Sequence, residues 1–184
     1  MDMYSPREIV SKESLRFAFV REQGFDRSCG FSAAASLLSL YWKLPVDEKS
    51  LVERYASDKL ASGDLEVDFN DLSRIFSDYG MSVKGVRMSW EQLGAALGSY
   101  APIVVHYARP DRHFVLALQA RDGWMISLDP ALGCELQSRD QFMERWSGAA
   151  LLAFSATLKR DEAMLAESTQ VQWDRQRLLE RLGP

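Results

Sequence analysis

The chain has 184 residues, 47% of them hydrophobic and 26% charged, an ordinary globular composition that suits one domain with a proper core. A formal net charge of −4, with no cluster of Lys and Arg, argues against any mechanism that relies on neutralising phosphates, so no nucleic-acid partner is expected. No run approaches the roughly 18 apolar residues that span a bilayer, and the first twenty residues have no signal-peptide core, so the chain reads as soluble.

From Leu15 to Gln23 (LRFAFVREQ), Phe17 and Phe19 alternate with polar neighbours, as in a half-buried strand or an extended lead-in. GFDRS then reads as a turn. From Cys29 to about Lys43 the sequence is rich in Ala and Leu, with Ser28 or Asp26 available as an N-cap, which predicts a helix. Further helices are predicted at about 47–58 and 68–79, where Phe69, Leu72, Ile75 and Phe76 keep helical spacing and Gly80 ends the pattern, with a short one at 90–98. The character then changes. SVKGVRM, APIVVHYA, HFVLALQA, GWMISLD and ALLAFSATL are compact β-type runs separated by Gly, Pro, Asp or Arg. An amphipathic SRDQFMERW interrupts them. From about Lys159 the chain turns charged and helical, and Met164, Val171 and Leu178 recur every seven residues with Leu182 one turn beyond. Helices first and strands second predict an α+β domain over residues 1–158, its helical layer packed on an antiparallel sheet, followed by a helical tail at 159–184.

The chemistry-bearing inventory is short. Cys29 and Cys134 form no CxxC pair, and the two histidines are not at zinc-finger spacing, so neither a disulfide framework nor a metal site is indicated. No cofactor is expected. A thiol in the first turn of a helix, as at Cys29, sits beside unpaired N–H groups and the positive end of the macrodipole, both of which favour a thiolate; a small buried helix residue is the plain alternative. His113 starts one predicted strand and Asp129 ends the next. In a hairpin turning near Asp122 and Gly123 the two lie close together, so the carboxylate can hold the imidazole in one tautomer. Gln23, in the turn before the cysteine, can join the Cys29 backbone N–H as an oxyanion donor. His106, inside the apolar strand VVHYA with no carboxylate at matching spacing, reads as a packing or supporting residue, and Cys134 as a structural residue in a loop.

The ordered pattern of Gln23, Cys29-Gly30, His113-Phe114-Val115 and Asp129-Pro130 with Gly133 resembles the C39 family of bacteriocin-processing, double-glycine cysteine peptidases over about residues 15–155. The resemblance implies a papain-like fold with Cys29 as nucleophile, His113 as base, Asp129 as orienting carboxylate and Gln23 in the oxyanion hole. It further implies a substrate whose leader peptide ends in Gly-Gly. Family members usually head an ABC exporter, whereas this chain carries no G-x-x-x-x-G-K-[ST] motif and looks like a stand-alone member similar to those that accompany fibre or functional-amyloid secretion. Such relatives tend to be exported, which favours the periplasm; a native N-terminus as given favours the cytoplasm. Ser28 departs from the acidic residue common before the cysteine, and the tail beyond Ala156 has no counterpart, leaving a secretion-machinery partner as its expected role beside simple docking. A transglutaminase-like acyltransferase and a catalytically silent leader-binding module are the competing readings.

Overall fold

The computed structural model describes residues 16–182, so Leu15 of the lead-in lies outside it. Helix α1, Cys29–Ser36, continues into one wider π-type turn, Leu37–Tyr41, and is buried almost all round. Its sequence explains this. Ala33, Ala34, Ala35, Leu37 and Leu38 meet the core, while Ser28, Ser32 and Ser36, spaced four apart, form a polar stripe that is fully buried too. That stripe has a partner. The Ser32 hydroxyl donates to the Arg21 carbonyl at 2.9 Å, and the Ser36 hydroxyl accepts from the Arg21 N–H at 2.8 Å. The expected lead-in strand is therefore corrected to turns at 17–19 and an extended stretch, its backbone satisfied by helix side chains rather than by a neighbouring strand.

Helices α2, Glu48–Tyr55, and α3, Phe69–Asp78, start at Asp47 and Asp68, each the N-cap of a capping box, and both pack beside α1. Six strands follow: β1 Ser82–Arg87, β2 Ile103–Tyr107, β3 His113–Arg121, β4 Trp124–Asp129, β5 Gly133–Ser138 and β6 Trp146–Phe154. They form one antiparallel sheet in the order β1-β6-β2-β3-β4-β5. Helix α4, Trp90–Tyr100, lies between β1 and β2 in the chain, and α5, Arg139–Arg145, between β5 and β6.

The sheet is covered on both faces. Leu116, Leu118, Ile126 and Leu128 pack with α1, α2 and α3, whereas Val115, Ala117, Met125 and Tyr107 pack with Leu93, Leu97 and Phe142 of α4 and α5. Strand β5 was not expected. GCELQS is too polar to stand out as a strand, because it lies at the edge of the sheet, so Cys134 sits in a strand and not in a loop.

The tail forms α6, Glu162–Leu182, and docks on the domain itself. Its inward face is Met164, Leu165, Ser168, Gln172 and Trp173, with a period close to 3.6. The Trp173 indole N–H donates to the Gln119 side chain, and the Arg121 guanidinium lies over the indole ring at 5.6 Å. The expected seven-residue stripe is thus not the docking face. Met164 faces the core, but Val171 is exposed, and the side chains of Leu178 and Leu182 lie outside the described set. No helix among the described residues is long and apolar enough to cross a membrane.

Candidate active site

Cys29 opens α1, at the edge of a cleft of about 570 Å³ that Gln23, Arg27, Glu66, His113 and Ala131 also line. Ser28 occupies the N-cap position, yet its side chain caps nothing; it is held elsewhere. Gly30 makes room for the far wall: a Cβ there would stand 2.2 Å from the Val67 side chain. Arg27 reaches across to the same loop and pairs with Glu66 at 2.5 Å.

His113 and Asp129 meet as the hairpin predicts, through a detail that sequence could not supply. The turn falls at Asp122 and Gly123, both with positive φ, and the pairing Arg121↔Trp124 sets the initial register. Carried on unbroken, that register would set Asp129 opposite Leu116 and His113 on the other face of the sheet. A bulge corrects this. Gln119 pairs with Ile126 but Ala117 with Ser127, so Leu118 is extra, and Asp129 falls opposite Val115. His113, two residues from Val115, then shares the face of Asp129. The contact is short: His113 Nε2 to Asp129 Oδ1 is 2.7 Å.

The same Oδ1 accepts the backbone N–H groups of Ala131 at 2.7 Å and Leu132 at 3.2 Å, and Asp129 is fully buried. These bonds fix the carboxylate before the imidazole engages it. With Nε2 occupied, Nδ1 is left for the thiol. Burial pushes the His113 pKa down, but hydrogen bonds to Asp129 and Cys29 and electrostatic attraction to both groups outweigh it, and the pKa is raised to about 9. The ring is therefore an imidazolium at neutral pH.

Gln23 also arrives. Its backbone N–H donates to the Pro130 carbonyl at 2.9 Å, tying the loop before α1 to the turn after Asp129, and its side chain lines the cleft beside Cys29. His106 stays apart from the carboxylate, as expected. Its Nδ1 meets the Ser147 hydroxyl at 3.2 Å, its ring packs against Phe114, and burial, with the charges of Arg112 and His113, lowers its pKa, so it stays neutral. Cys134 is a poor nucleophile, since burial pushes its pKa up to about 12. Both thiols are free, and no group of residues among those described could hold a metal ion.

Sequence reasoning missed the residues behind Asp129. The Arg145 guanidinium, at the end of α5, lies over the Tyr107 ring at 4.2 Å, pairs with Glu135 at 3.2 Å and stands 3.9 Å from Asp129 Oδ2. Gln137 donates to Glu135 at 2.8 Å and accepts from the Tyr107 hydroxyl at 3.2 Å. This cation faces the second oxygen of the buried carboxylate. Glu135 and Gln137 belong to the unforeseen strand β5, so nothing in their spacing could have signalled the group.

Residues 18–157 match the Peptidase C39 family. The chain is 28% identical over 170 residues to the probable functional amyloid protease FapD of Pseudomonas fluorescens, covering 89% of this chain and 72% of that protein. It is 27% identical over 165 residues to the protein of the same name from Pseudomonas aeruginosa, covering 86% and 70%. Among solved structures, the peptidase domain of Streptococcus ComA, a bifunctional ABC transporter involved in quorum sensing, superimposes with a TM-score of 0.63 at 15% identity, over 74% of this chain and 97% of that one. A double glycine motif protease from an AMS/PCAT transporter, solved in complex with the leader peptide, gives 0.56 at 21% identity, over 73% and 89%. The fold is the papain-like one of these domains, and the helix-initiating cysteine, the paired histidine and carboxylate, and a match over most of the chain lead to one assignment: the chain belongs to the peptidase C39 family and is a cysteine peptidase.

Proposed function

We propose that this enzyme cleaves leader peptides after a Gly-Gly pair on cargo of a bacterial secretion or fibre-export system, with Cys29, His113, Asp129 and Gln23 as its catalytic set. The observation that carries the assignment of roles is the His113–Asp129 contact of 2.7 Å beside Cys29 at the edge of an open cleft. Cys29 Sγ attacks the carbonyl carbon of the second glycine. The Gln23 side-chain amide and the Cys29 backbone N–H receive the oxyanion, and His113 gives its proton to the leaving amine. Water, deprotonated by His113, then releases the acyl group from sulfur. Asp129 holds the ring throughout and stabilises its charged form.

Glycine selectivity fits the walls near the thiol, where Val67, Phe114 and His106 leave only a small recess. The FapD proteins are named as functional amyloid proteases, and this supports fibre subunits as cargo. The test is a synthetic peptide carrying Gly-Gly, incubated with wild type and Cys29→Ala, with products identified by mass. Cleavage after the second glycine, absent in the variant while its fold and peptide binding persist, is the expected result. Transfer of the acyl group to an added amine in preference to water would instead make the enzyme a transglutaminase-like acyltransferase, and binding without cleavage by wild type would make it a silent leader-binding module.

A further inference from the structure

The turn that carries Gln23 and delivers Cys29 is anchored by a carboxyl group from another helix. Glu48, the first residue of α2, is nearly buried and points into the turn. Its Oε2 accepts the Gly24 N–H at 2.7 Å, and a Cβ on Gly24 would stand only 3.1 Å from that oxygen. Its Oε1 lies 2.6 Å from the Ser28 hydroxyl. The same hydroxyl is 2.6 Å from the Phe25 carbonyl, and that carbonyl also accepts from Gln23 Nε2 at 3.5 Å. One continuous chain of contacts therefore runs from Glu48 through Ser28 and Phe25 to the Gln23 amide.

Protons decide the state of this chain. A serine hydroxyl has one hydrogen, while a carbonyl and a carboxylate can only accept. A single Ser28 hydrogen can serve only one of two contacts of 2.6 Å in full, and a proton on Glu48 makes both of them full hydrogen bonds. With the acid protonated, Glu48 donates to Ser28, Ser28 donates to Phe25, and Gly24 still donates to the other carboxyl oxygen. For the ionised carboxyl, burial outweighs the hydrogen bonds that Ser28 and Gly24 would donate and is reinforced by the charge of Asp47, which pushes Glu48 above its ordinary range and so towards the protonated form.

We infer that Glu48 is a positioning residue which, as a neutral acid, pins the turn 23–28 and so aims the Gln23 amide and the Cys29 backbone N–H at the oxygen of the scissile carbonyl. It rests on the catalytic roles proposed above for Cys29 and Gln23. This arrangement also explains why Ser28, placed by sequence at the N-cap, leaves the first turn of α1 uncapped on the side of the cleft.

The experiment compares Glu48→Ala, Glu48→Gln, Ser28→Ala and Gln23→Ala with wild type in kcat and KM on a Gly-Gly peptide, in the rate of Cys29 alkylation by iodoacetamide, and in melting temperature. Losing one oxyanion donor lowers kcat by about 10²–10³, and misdirecting it should lower kcat at least about tenfold in Glu48→Ala and Ser28→Ala, with KM little changed. Alkylation develops no oxyanion, so its rate should stay within about twofold of wild type. In Glu48→Gln an amide N–H takes the place of the acid proton, and kcat should return to within about threefold. Full activity in Glu48→Ala overturns the inference, as does a parallel loss of alkylation and cleavage, which marks a merely structural residue. A Glu48→Gln enzyme as slow as Glu48→Ala overturns the neutral acid. Normal turnover in Gln23→Ala refutes the oxyanion role itself, and the inference falls with it for a separately identified reason.

Discussion

Replacing Asp129 by Asn isolates the charge of the orienting residue from its hydrogen bonds. The Asn carbonyl oxygen can take the place of Oδ1, which accepts from His113, Ala131 and Leu132, while the amide takes that of Oδ2, which has no hydrogen-bond partner among the described residues. The hydrogen bonds to His113, Ala131 and Leu132 are kept, while one negative charge is lost and the amide comes to face the Arg145 guanidinium, which stands 3.9 Å from Oδ2. Of the four contributions that raise the His113 pKa to about 9, the two from Asp129 are weakened, and the burial that opposes them remains, so the pKa should fall towards its ordinary 6.5. If turnover requires the imidazolium, a full return to 6.5 lowers the protonated fraction about tenfold at pH 7.5, about 30-fold at pH 8, and hardly at all at pH 6. The assay is kcat/KM on a Gly-Gly peptide between pH 5.5 and 9, with melting temperature measured in parallel. The sign for stability follows from the same raised pKa. The stabilisation from protonated His113 is complete below about 6.5 and lost as pH rises through about 9, so wild type should melt progressively lower across that window and Asp129→Asn should show a flatter curve. A loss of activity equal at every pH, or no loss at pH 8, would refute the reasoning.

The two thiols should separate cleanly: iodoacetamide at pH 6 should label Cys29 rapidly and leave Cys134 unmodified in the folded enzyme, as peptide mass mapping would show, because burial holds the Cys134 thiol protonated. His106→Gln should cost less than about threefold in kcat, since the ring touches Ser147 and Phe114 and has no carboxylate partner among the described residues, and a loss comparable to that of Asp129→Asn would mean the wrong imidazole was chosen as base. Deleting residues 160–184 should destabilise the domain by about 3 kcal/mol or more, judged from partial burial of Met164, Leu165 and Trp173, with denaturant melts as the measure; an unchanged midpoint would return the tail to a partner-binding role alone.

The sequence determined the parts of this protein that depend on local pattern. The spacing of Phe69, Leu72, Ile75 and Phe76, ended by Gly80, places α3 to within a few residues, and α2 falls within the helix expected at about 47–58. The Asp122-Gly123 turn between two β-type runs dictates the β3–β4 hairpin, and with it the neighbouring strands that carry His113 and Asp129. Those signals are legible because each is a contact between residues near in the chain. Tertiary structure decided the rest. Strand β5 is polar and gains its place only from the neighbour it pairs with. The lead-in forgoes a strand because the serine stripe of α1 supplies its hydrogen bonds. The bulge at Leu118, which brings the imidazole and the carboxylate onto one face, has no sequence marker, yet a register slipped by one residue would separate them. Arg145 behind Asp129 and Glu48 beneath the Gln23 turn come from distant elements, 16 and 25 residues away from the groups they serve, and are brought there by the packing of helices against the sheet and against each other. Burial then fixes their effect, because a charge or a proton has its full consequence only where water is excluded.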